Sequence, residues 1–264
     1  MISLGYDIGT RFVKACLVRD TEIIGSSCLE IGKNFKNTLK SVKSEALNKA
    51  GIRGFRINRV VSTGFGASLV RERRHQLGIA PCIACAAFHL DPEIRTIVDI
   101  GGLFINVISL DDRGHVQDFY EVEKCAAGSG KFIEVIATAI GIPLGEISDI
   151  ALLSSNPYAM TSGCAVFAES EVISQVNTGA RREDVLAGLI GAVVSKTSSM
   201  LVRSEARDKI VLTGGVTRIP AFMSFLEREL KREVFMLDLD PQMAAAYGAA
   251  LIPVLNPHIV KGRS

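Results

Sequence analysis

Ile2-Ser3-Leu4-Gly5-Tyr6-Asp7-Ile8-Gly9-Thr10, at the start of the chain, is echoed by Thr96-Ile97-Val98-Asp99-Ile100-Gly101-Gly102. Each is an apolar run of strand length ending in a carboxylate, with glycine two residues on. A second strand-like stretch follows in both places, at residues 13–18 and 105–110. Turn residues close these, around residues 19–21 and at Asp111-Asp112-Arg113-Gly114, and a third strand-like stretch comes next. One β-hairpin unit is therefore used twice, once at the start of each of two lobes.

Helical patterns fill the rest. Leu39, Val42, Ala46, Leu47 and Ala50 recur at helical spacing, and Gly51 stops them. Phe132, Ile133, Ile136 and Ile140 mark a second helix closed by Gly141-Ile142-Pro143. Val185, Leu189, Val193 and Leu201 mark a longer one, and Phe222, Phe225, Leu226 and Leu230 another. Asp240-Pro241 reads as the N-cap and first-turn proline of a last, alanine-rich helix. Residues 60–62 and 210–213 read as short buried strands. Strands and helices mix along the chain, which makes the class α/β.

The acidic loops carry a specific chemistry. Glycine lets backbone N–H groups approach a phosphate with no side chain in the way. The carboxylates of Asp7 and Asp99 can hold a hydrated Mg²⁺ that bridges phosphate oxygens. Thr10 adds a hydroxyl and Lys14 a charge beside Gly9, and Gly101-Gly102 forms the second loop. Thr213-Gly214-Gly215 is a third loop of the same kind. Asp-x-Gly is also a common turn, and some of the 24 glycines serve turns and helix ends alone. Two copies in matched settings, plus the third loop, point to nucleotide binding. No Gly-x-x-x-x-Gly-Lys-Ser/Thr occurs, nor Gly-x-Gly-x-x-Gly after the first strand, which argues against a P-loop or dinucleotide enzyme.

The bulk numbers exclude other classes. The 264 residues suffice for two lobes, with 48% hydrophobic and 22% charged residues as in a globular protein with a real core. A net charge of +2 gives no field that calls for nucleic acid or membrane, and without Trp a stacking platform for single strands is not expected. The start does not read as a signal peptide, and no uninterrupted apolar run reaches transmembrane length, so a cytoplasmic protein is expected.

Six cysteines in such a chain read as reduced thiols or metal ligands rather than disulfides. Two stand in segments of small residues leading into predicted helices: Lys124-Cys125-Ala126-Ala127-Gly128-Ser129-Gly130 and Thr161-Ser162-Gly163-Cys164-Ala165-Val166-Phe167-Ala168-Glu169. The positive end of a helix favours a thiolate, and the small neighbours leave room for a bulky inorganic core. The competing reading of each is a small buried hydrophobe. Cys16 and Cys28 fall in predicted strands and read as core. Cys82-x-x-Cys85 has no second pair of that spacing and reads as structural. Glu169 and Glu171 either face solvent or, for Glu169, organise Mg²⁺ or water.

The order Asp-x-Gly-Thr, Asp-x-Gly-Gly, Gly-Gly and a late Gly-Ala-Ala resembles the actin/sugar kinase/heat-shock-70 ATPase superfamily. The segments at Cys125 and Cys164 closely resemble the BadF/BadG/BcrA/BcrD-type ATPases: the ATP-dependent activators of 2-hydroxyacyl-CoA dehydratases and the ATPase subunits of benzoyl-CoA reductase. The similarity runs over most of the chain, from about Leu4 to Leu251. The resemblance implies two ribonuclease-H-like lobes, residues 1–94 plus 244–264 and residues 95–243. It implies ATP or ADP with Mg²⁺ at Gly9, Thr10, Lys14, Gly101, Gly102, Gly128, Gly130, Gly214, Gly215 and Gln242, with Asp7 and Asp99 as catalytic carboxylates; Glu169, read from its own place in the second cysteine segment, is the third catalytic candidate. It further implies one four-iron four-sulfur cluster per dimer, held by Cys125 and Cys164 of both chains. The dimer is one of identical chains or of this chain with a paralogue. A ferredoxin or flavodoxin donor and an iron–sulfur dehydratase or reductase partner complete the expected system.

The chain departs from the family pattern at Leu103 and Phe104, where a Gln and an Asp are usual, at Ala245 in place of a glycine, and at Cys82-Ile83 in place of Cys-His. The missing Gln bears on water activation more than on nucleotide binding. Two other classes therefore stand beside the activator: a small-molecule kinase of the same superfamily, and a nucleotide-binding subunit that does not hydrolyse.

Overall fold

The computed structural model describes residues 1–122, 129–161, 165–207 and 209–256. They form two compact units. The first comprises Met1–Arg95, Leu110–Gln117 and the chain from Leu237 onward; the second comprises Thr96–Ser109 and Asp118–Met236. The resemblance puts the return to the first lobe at residue 244; the first compact unit takes the chain up from Leu237.

In the first unit, β1 (Ile2–Ile8), β2 (Phe12–Arg19), β3 (Glu22–Glu30), β4 (Arg59–Thr63) and the two-residue β5 (His75–Gln76) form one sheet in the order β3-β2-β1-β4-β5. The hairpin strands β1, β2 and β3 are antiparallel, while β4 joins β1 in parallel. Helix α1 (Phe35–Ala50) starts where the Asn34 side chain accepts from Asn37 N, and ends at Gly51, whose φ of 63° needs no Cβ. It buries Val42 and Ala46 against β2 and β3. Beside it the fully buried Tyr6 donates its hydroxyl to Glu72 Oε1 (2.6 Å), and the other oxygen of Glu72 meets Lys43 of α1.

Two further helices, α2 (Ile79–Leu90) and α8 (Ala244–Leu255), pack on this unit almost backbone to backbone. A Cβ on Gly5 of β1 would stand 2.5 Å from Ala250 N, and one on Gly248 would stand 2.5 Å from the Cys82 carbonyl carbon. The alanines of α8 and the cysteines of α2 are small because the layers leave no room for more. Helix α8 begins later than Asp240-Pro241 suggests. Asp240 instead caps a turn, its side chain accepting from Gln242 N (3.0 Å) and its carbonyl from Met243 N (2.8 Å).

The second unit repeats the plan. Strands β6 (Thr96–Ile100), β7 (Ile105–Leu110), β8 (Val116–Val122), β9 (Ile210–Thr213) and β10 (Phe235–Met236) lie in the order β10-β9-β6-β7-β8, the first sheet read from the other edge. Helices α3 (Gly130–Ala139), α4 (Ile147–Ala151), α5 (Ala165–Asn177), α6 (Arg182–Arg203) and α7 (Pro220–Leu230) complete it. Its core joins Val98 and Ile100 of the sheet to Phe132, Val172, Leu189 and Phe222 of the helices. Burying each such side chain contributes about 1.5–3 kcal/mol. Helix α6 is long and apolar enough on average to cross a membrane, although its apolar residues are interrupted by polar ones. Those from Val185 to Leu201 are buried inside this unit, the placement of a core helix.

Candidate functional site

The two acidic loops are built alike. On β1, Asp7 stands opposite Lys14 of β2 and beside Thr63 of β4. On β6, Asp99 stands opposite Asn106 of β7 and beside Thr213 of β9. Residues opposite one another on paired strands share a face, so each unit presents a row: Thr63–Asp7–Lys14 and Thr213–Asp99–Asn106. The first row extends to Cys28, which pairs with Lys14 across β3.

Each row is bounded by the same backbone devices. Gly9 N donates to Phe12 O (3.0 Å), and Gly101 N to Phe104 O (2.9 Å), closing the two hairpin loops that hold Thr10 and Gly102. Gly64 and Gly214 follow the two threonines at φ 86° and 91°. A Cβ at Gly64 would press on Asp7 Oδ1 and lie 2.7 Å from Ile8 O; one at Gly214 would lie 2.6 Å from Ile100 N. Both positions demand glycine for conformation and for close approach. Gly215 opens the short 3₁₀ turn that follows, Gly215–Arg218.

The electrostatics of the rows differ. Lys14 Nζ lies 2.8 Å from Asp7 Oδ2, with the two side chains only 12% and 7% exposed. Asn106 Nδ2 donates to Asp99 Oδ2 at 3.0 Å. Among the described residues, Asp7 Oδ1, Thr63 Oγ1 and Asn106 Oδ1 are buried without a hydrogen-bond partner. Ser3 Oγ, four residues up β1 from Asp7, is another such atom, and a native fold leaves few of them. Asp7 Oδ1 in the first unit and Asn106 Oδ1 in the second are acceptor oxygens, the kind a hard, oxygen-seeking cation takes. The structure thus places Asp7, Gly9, Thr10 and Lys14 together in one unit, and Asp99, Gly101, Gly102, Gly214 and Gly215 in the other.

Gly130 belongs to the second group. Gly130 N and Lys131 N, in the first turn of α3, donate to Gly101 O (3.0 Å) and Gly102 O (2.8 Å). Gln242 lies at the end of the first row, its Oε1 accepting from Cys28 Sγ (3.8 Å). Glu169 is half-buried on α5. Glu171, two residues on, accepts from Tyr158 Oη, Thr161 N and Thr161 Oγ1, each at 2.9 Å, and so pins the segment that leads to Cys164. Cys125, Gly128 and Cys164 lie outside the described residues. The helices expected after the two cysteine segments are α3 and α5, which pack against each other.

Of the other cysteines, Cys16 and Cys82 are buried and Cys28 and Cys85 half-buried, all as free thiols. Burial pushes the thiols of Cys16 and Cys82 up to about 12 and that of Cys85 up to about 11, so none is a thiolate at neutral pH. Among the described residues no three His, Cys, Asp or Glu side chains converge to hold a metal ion. A groove of about 600 Å³ between α6, α7 and residues 157–161 is lined by none of the candidate nucleotide or metal residues.

Sequence reasoning missed Thr63, Gly64 and Asn106. Thr63-Gly64 repeats Thr213-Gly214 after a similar apolar strand, and that repeat was the available signal.

The chain resembles known proteins over nearly its whole length. It is 34% identical over 252 residues to the 2-hydroxyisocaproyl-CoA dehydratase activator of Clostridioides difficile, covering 95% of this chain and 94% of that protein. It is 32% identical to one of the subunits of the benzoyl-CoA reductase of Thauera aromatica, covering 95% and 92%. The solved structure of the activator of the 2-hydroxyisocaproyl-CoA dehydratase from Clostridium difficile with bound ADPNP superposes with a TM-score of 0.91 at 33% identity, covering 100% of both chains. A ROK family glucokinase from Streptomyces griseus, 12% identical with a TM-score of 0.57, shares the fold alone. The family model described as the BadF/BadG/BcrA/BcrD ATPase family matches residues 4–253. With both acidic rows in place and that match across the chain, this protein belongs to the BadF/BadG/BcrA/BcrD ATPase family.

Proposed function

We propose that this chain is an ATP-dependent electron-transfer activator. It would take an electron from a ferredoxin or flavodoxin and pass it, at low potential, to an iron–sulfur dehydratase or reductase that acts on an acyl-CoA. The observation that carries the nucleotide part is the repeated row, Thr63–Asp7–Lys14 and Thr213–Asp99–Asn106, each closed by glycine loops. Lys14 and the backbone N–H groups of the loops would hold phosphate oxygens, and Asp7 and Asp99 would orient Mg²⁺, which supplies charge neutralisation when bound. Leu103 and Phe104 offer no side-chain group to position water, so hydrolysis is expected to be slow, with Glu169 the remaining carboxylate suited to that task.

The redox part rests on Cys125 and Cys164. Two thiols per chain make four in a dimer, the complement of one four-iron four-sulfur cluster, which supplies the low-potential couple when bound. Small neighbours on the sequence and the onset of α5 directly after Cys164 support that assignment. ATP must bind the transfer-competent state more tightly than the resting one for the nucleotide to drive transfer. The 32% identity to a benzoyl-CoA reductase component supports a second reading, an ATPase subunit of a reductase paired with a paralogue rather than a homodimeric activator. Both readings place the protein in the cytoplasm.

The test is anaerobic purification followed by iron analysis and EPR. Wild-type protein is expected to carry about four irons per dimer, and Cys125→Ala and Cys164→Ala to lose iron and colour. Full iron retention by both variants overturns the cluster assignment. ATP turnover that survives Asp7→Ala overturns the nucleotide site.

A further inference from the structure

Asp7 divides its two oxygens between its neighbours. Oδ2 meets Lys14 Nζ at 2.8 Å on the β2 side. Oδ1 turns to the β4 side, where a Cβ on Gly64 would press on it. Thr63, the residue before Gly64, stands in register with Asp7 and is 0% exposed. Among the described residues neither Asp7 Oδ1 nor Thr63 Oγ1 has a hydrogen-bond partner. The Cys82 thiol of α2 touches the Thr63 hydroxyl, but burial keeps it protonated and a thiol is a weak hydrogen-bonding group. Ser3 Oγ, also unpartnered, stands beside Val18 and Arg59 and has no carboxylate in register. At Thr63, by contrast, a buried donor without an acceptor adjoins a buried acceptor without a donor.

Lys14 links this pair to the ligand. Its ammonium also stands over the phosphate loop, 3.0 Å from where a Cβ on Gly9 would be. A lysine so placed serves two anions, Asp7 and an incoming phosphate. An ammonium drawn onto phosphate leaves Asp7 short of a donor, with its side chain only 7% exposed to water. A buried carboxylate in that position is costly unless another donor reaches it.

We propose that Thr63 is a positioning residue of the nucleotide site, its hydroxyl donating to Asp7 when Lys14 turns to a phosphate. That hydrogen bond replaces the one the carboxylate gives up, and it keeps Asp7 ionised and in place. The inference rests on the nucleotide reading. It goes beyond that reading in giving a working role to a residue of β4, outside the two acidic loops. In the ligand-free protein the hydroxyl satisfies no acceptor, so its removal acts on nucleotide binding and not on folding.

Binding of a fluorescent ADP in the presence of Mg²⁺, and urea unfolding without nucleotide, test it on the full-length chain. Thr63→Val keeps the shape and removes the hydroxyl. It should weaken ADP binding about tenfold, the worth of one hydrogen bond to a charged group, with a urea midpoint equal to wild type or higher. Thr63→Ser keeps the hydroxyl and should bind ADP within about threefold of wild type. A purely structural role would lower affinity and midpoint together. ADP affinity of Thr63→Val within twofold of wild type overturns the proposal. So does a loss of affinity that Thr63→Ser shares, or one that comes with a fallen midpoint in Thr63→Val. Should Thr63→Val not fold, Thr63→Ala against Thr63→Ser decides by ADP affinity. Wild type that binds no ADP overturns the nucleotide reading and this inference together. Normal ADP binding that is indifferent to residue 63 overturns this inference alone.

Discussion

Replacing Gly248 by alanine puts the packing of α2 on α8 to a quantitative test. Helix propensity by itself favours the change by about 1 kcal/mol. The new Cβ would stand 2.5 Å from the Cys82 carbonyl carbon and nearer still to its oxygen. Ordinary contact begins at about 3.5 Å, so the two helices must part by about 1 Å. No flexible side-chain tip can give way, because the obstacle is backbone. The parting also loosens Val61, Cys82, Ala249 and Ile252, which share one buried cluster. Overpacking costs about 1–3 kcal/mol, and a rigid obstacle puts this case at the upper end. Set against the propensity gain, the net loss is about 2 kcal/mol, or roughly 4–8 °C in Tm for a protein of this size. Gly191 in α6 is the control, because a Cβ there meets nothing within 4 Å. Gly191→Ala is expected to raise stability by about 0.5–1 kcal/mol. Urea unfolding by circular dichroism, with calorimetry to resolve the units, measures both. A Gly248→Ala protein as stable as wild type refutes the packing argument.

Three other outcomes follow from the site and its surroundings. Asp7→Asn, Lys14→Met and the double variant should show a coupling of about 1–3 kcal/mol in urea unfolding, since the pair is 2.8 Å apart and nearly buried; a coupling under about 0.5 kcal/mol removes it as a working ion pair. Gly64→Ala combines a φ of 86° with a Cβ pressed on Asp7; it should cost about 1–3 kcal/mol and weaken nucleotide binding measured by calorimetry, and unaltered binding contradicts the placement of Asp7. The buried thiols set a pH dependence. The folded state holds Cys16 and Cys82 protonated up to about pH 12, above the ordinary thiol value of 9.0. Their contribution is therefore complete below pH 9 and lost as pH rises towards 12. Urea midpoints should fall from pH 9 upward, and maleimide at pH 8 should reach these two thiols only in unfolded protein. Rapid labelling of both in the native state contradicts their burial.

Much of this fold is legible in the sequence because hairpins are local. Asp7-Ile8-Gly9-Thr10 and Asp99-Ile100-Gly101-Gly102 announce their strands through short-range patterns, and Gly51 and Gly141 announce helix ends through the left-handed backbone they adopt. The partners of Asp7 and Asp99 are less legible. Thr63 and Thr213 reach them only through parallel pairing across long connections, and pairing register is a tertiary fact. Asn106 carries no signal at all until the register sets it opposite Asp99 as Lys14 is set opposite Asp7. The late start of α8 has a different cause: Asp240 satisfies Gln242 N in a turn, so the capping chemistry is present but serves another structure. Glu171 reads as one more helix-surface carboxylate, and only folding brings Tyr158 and Thr161 to it.

The two hydrogen bonds from the first turn of α3 to Gly101 and Gly102 give the loop a mechanical role. Gly130 has no side chain to hold the helix off, so α3 and the loop are fastened at 3.0 and 2.8 Å with no slack between them. A ligand that draws the loop inward pulls the start of α3 with it, as a taut cord moves a lever. Cys125 lies five residues upstream of Gly130 on the same length of chain. The second acidic loop and the first turn of α3 are thus tied through main-chain atoms that no side-chain substitution removes.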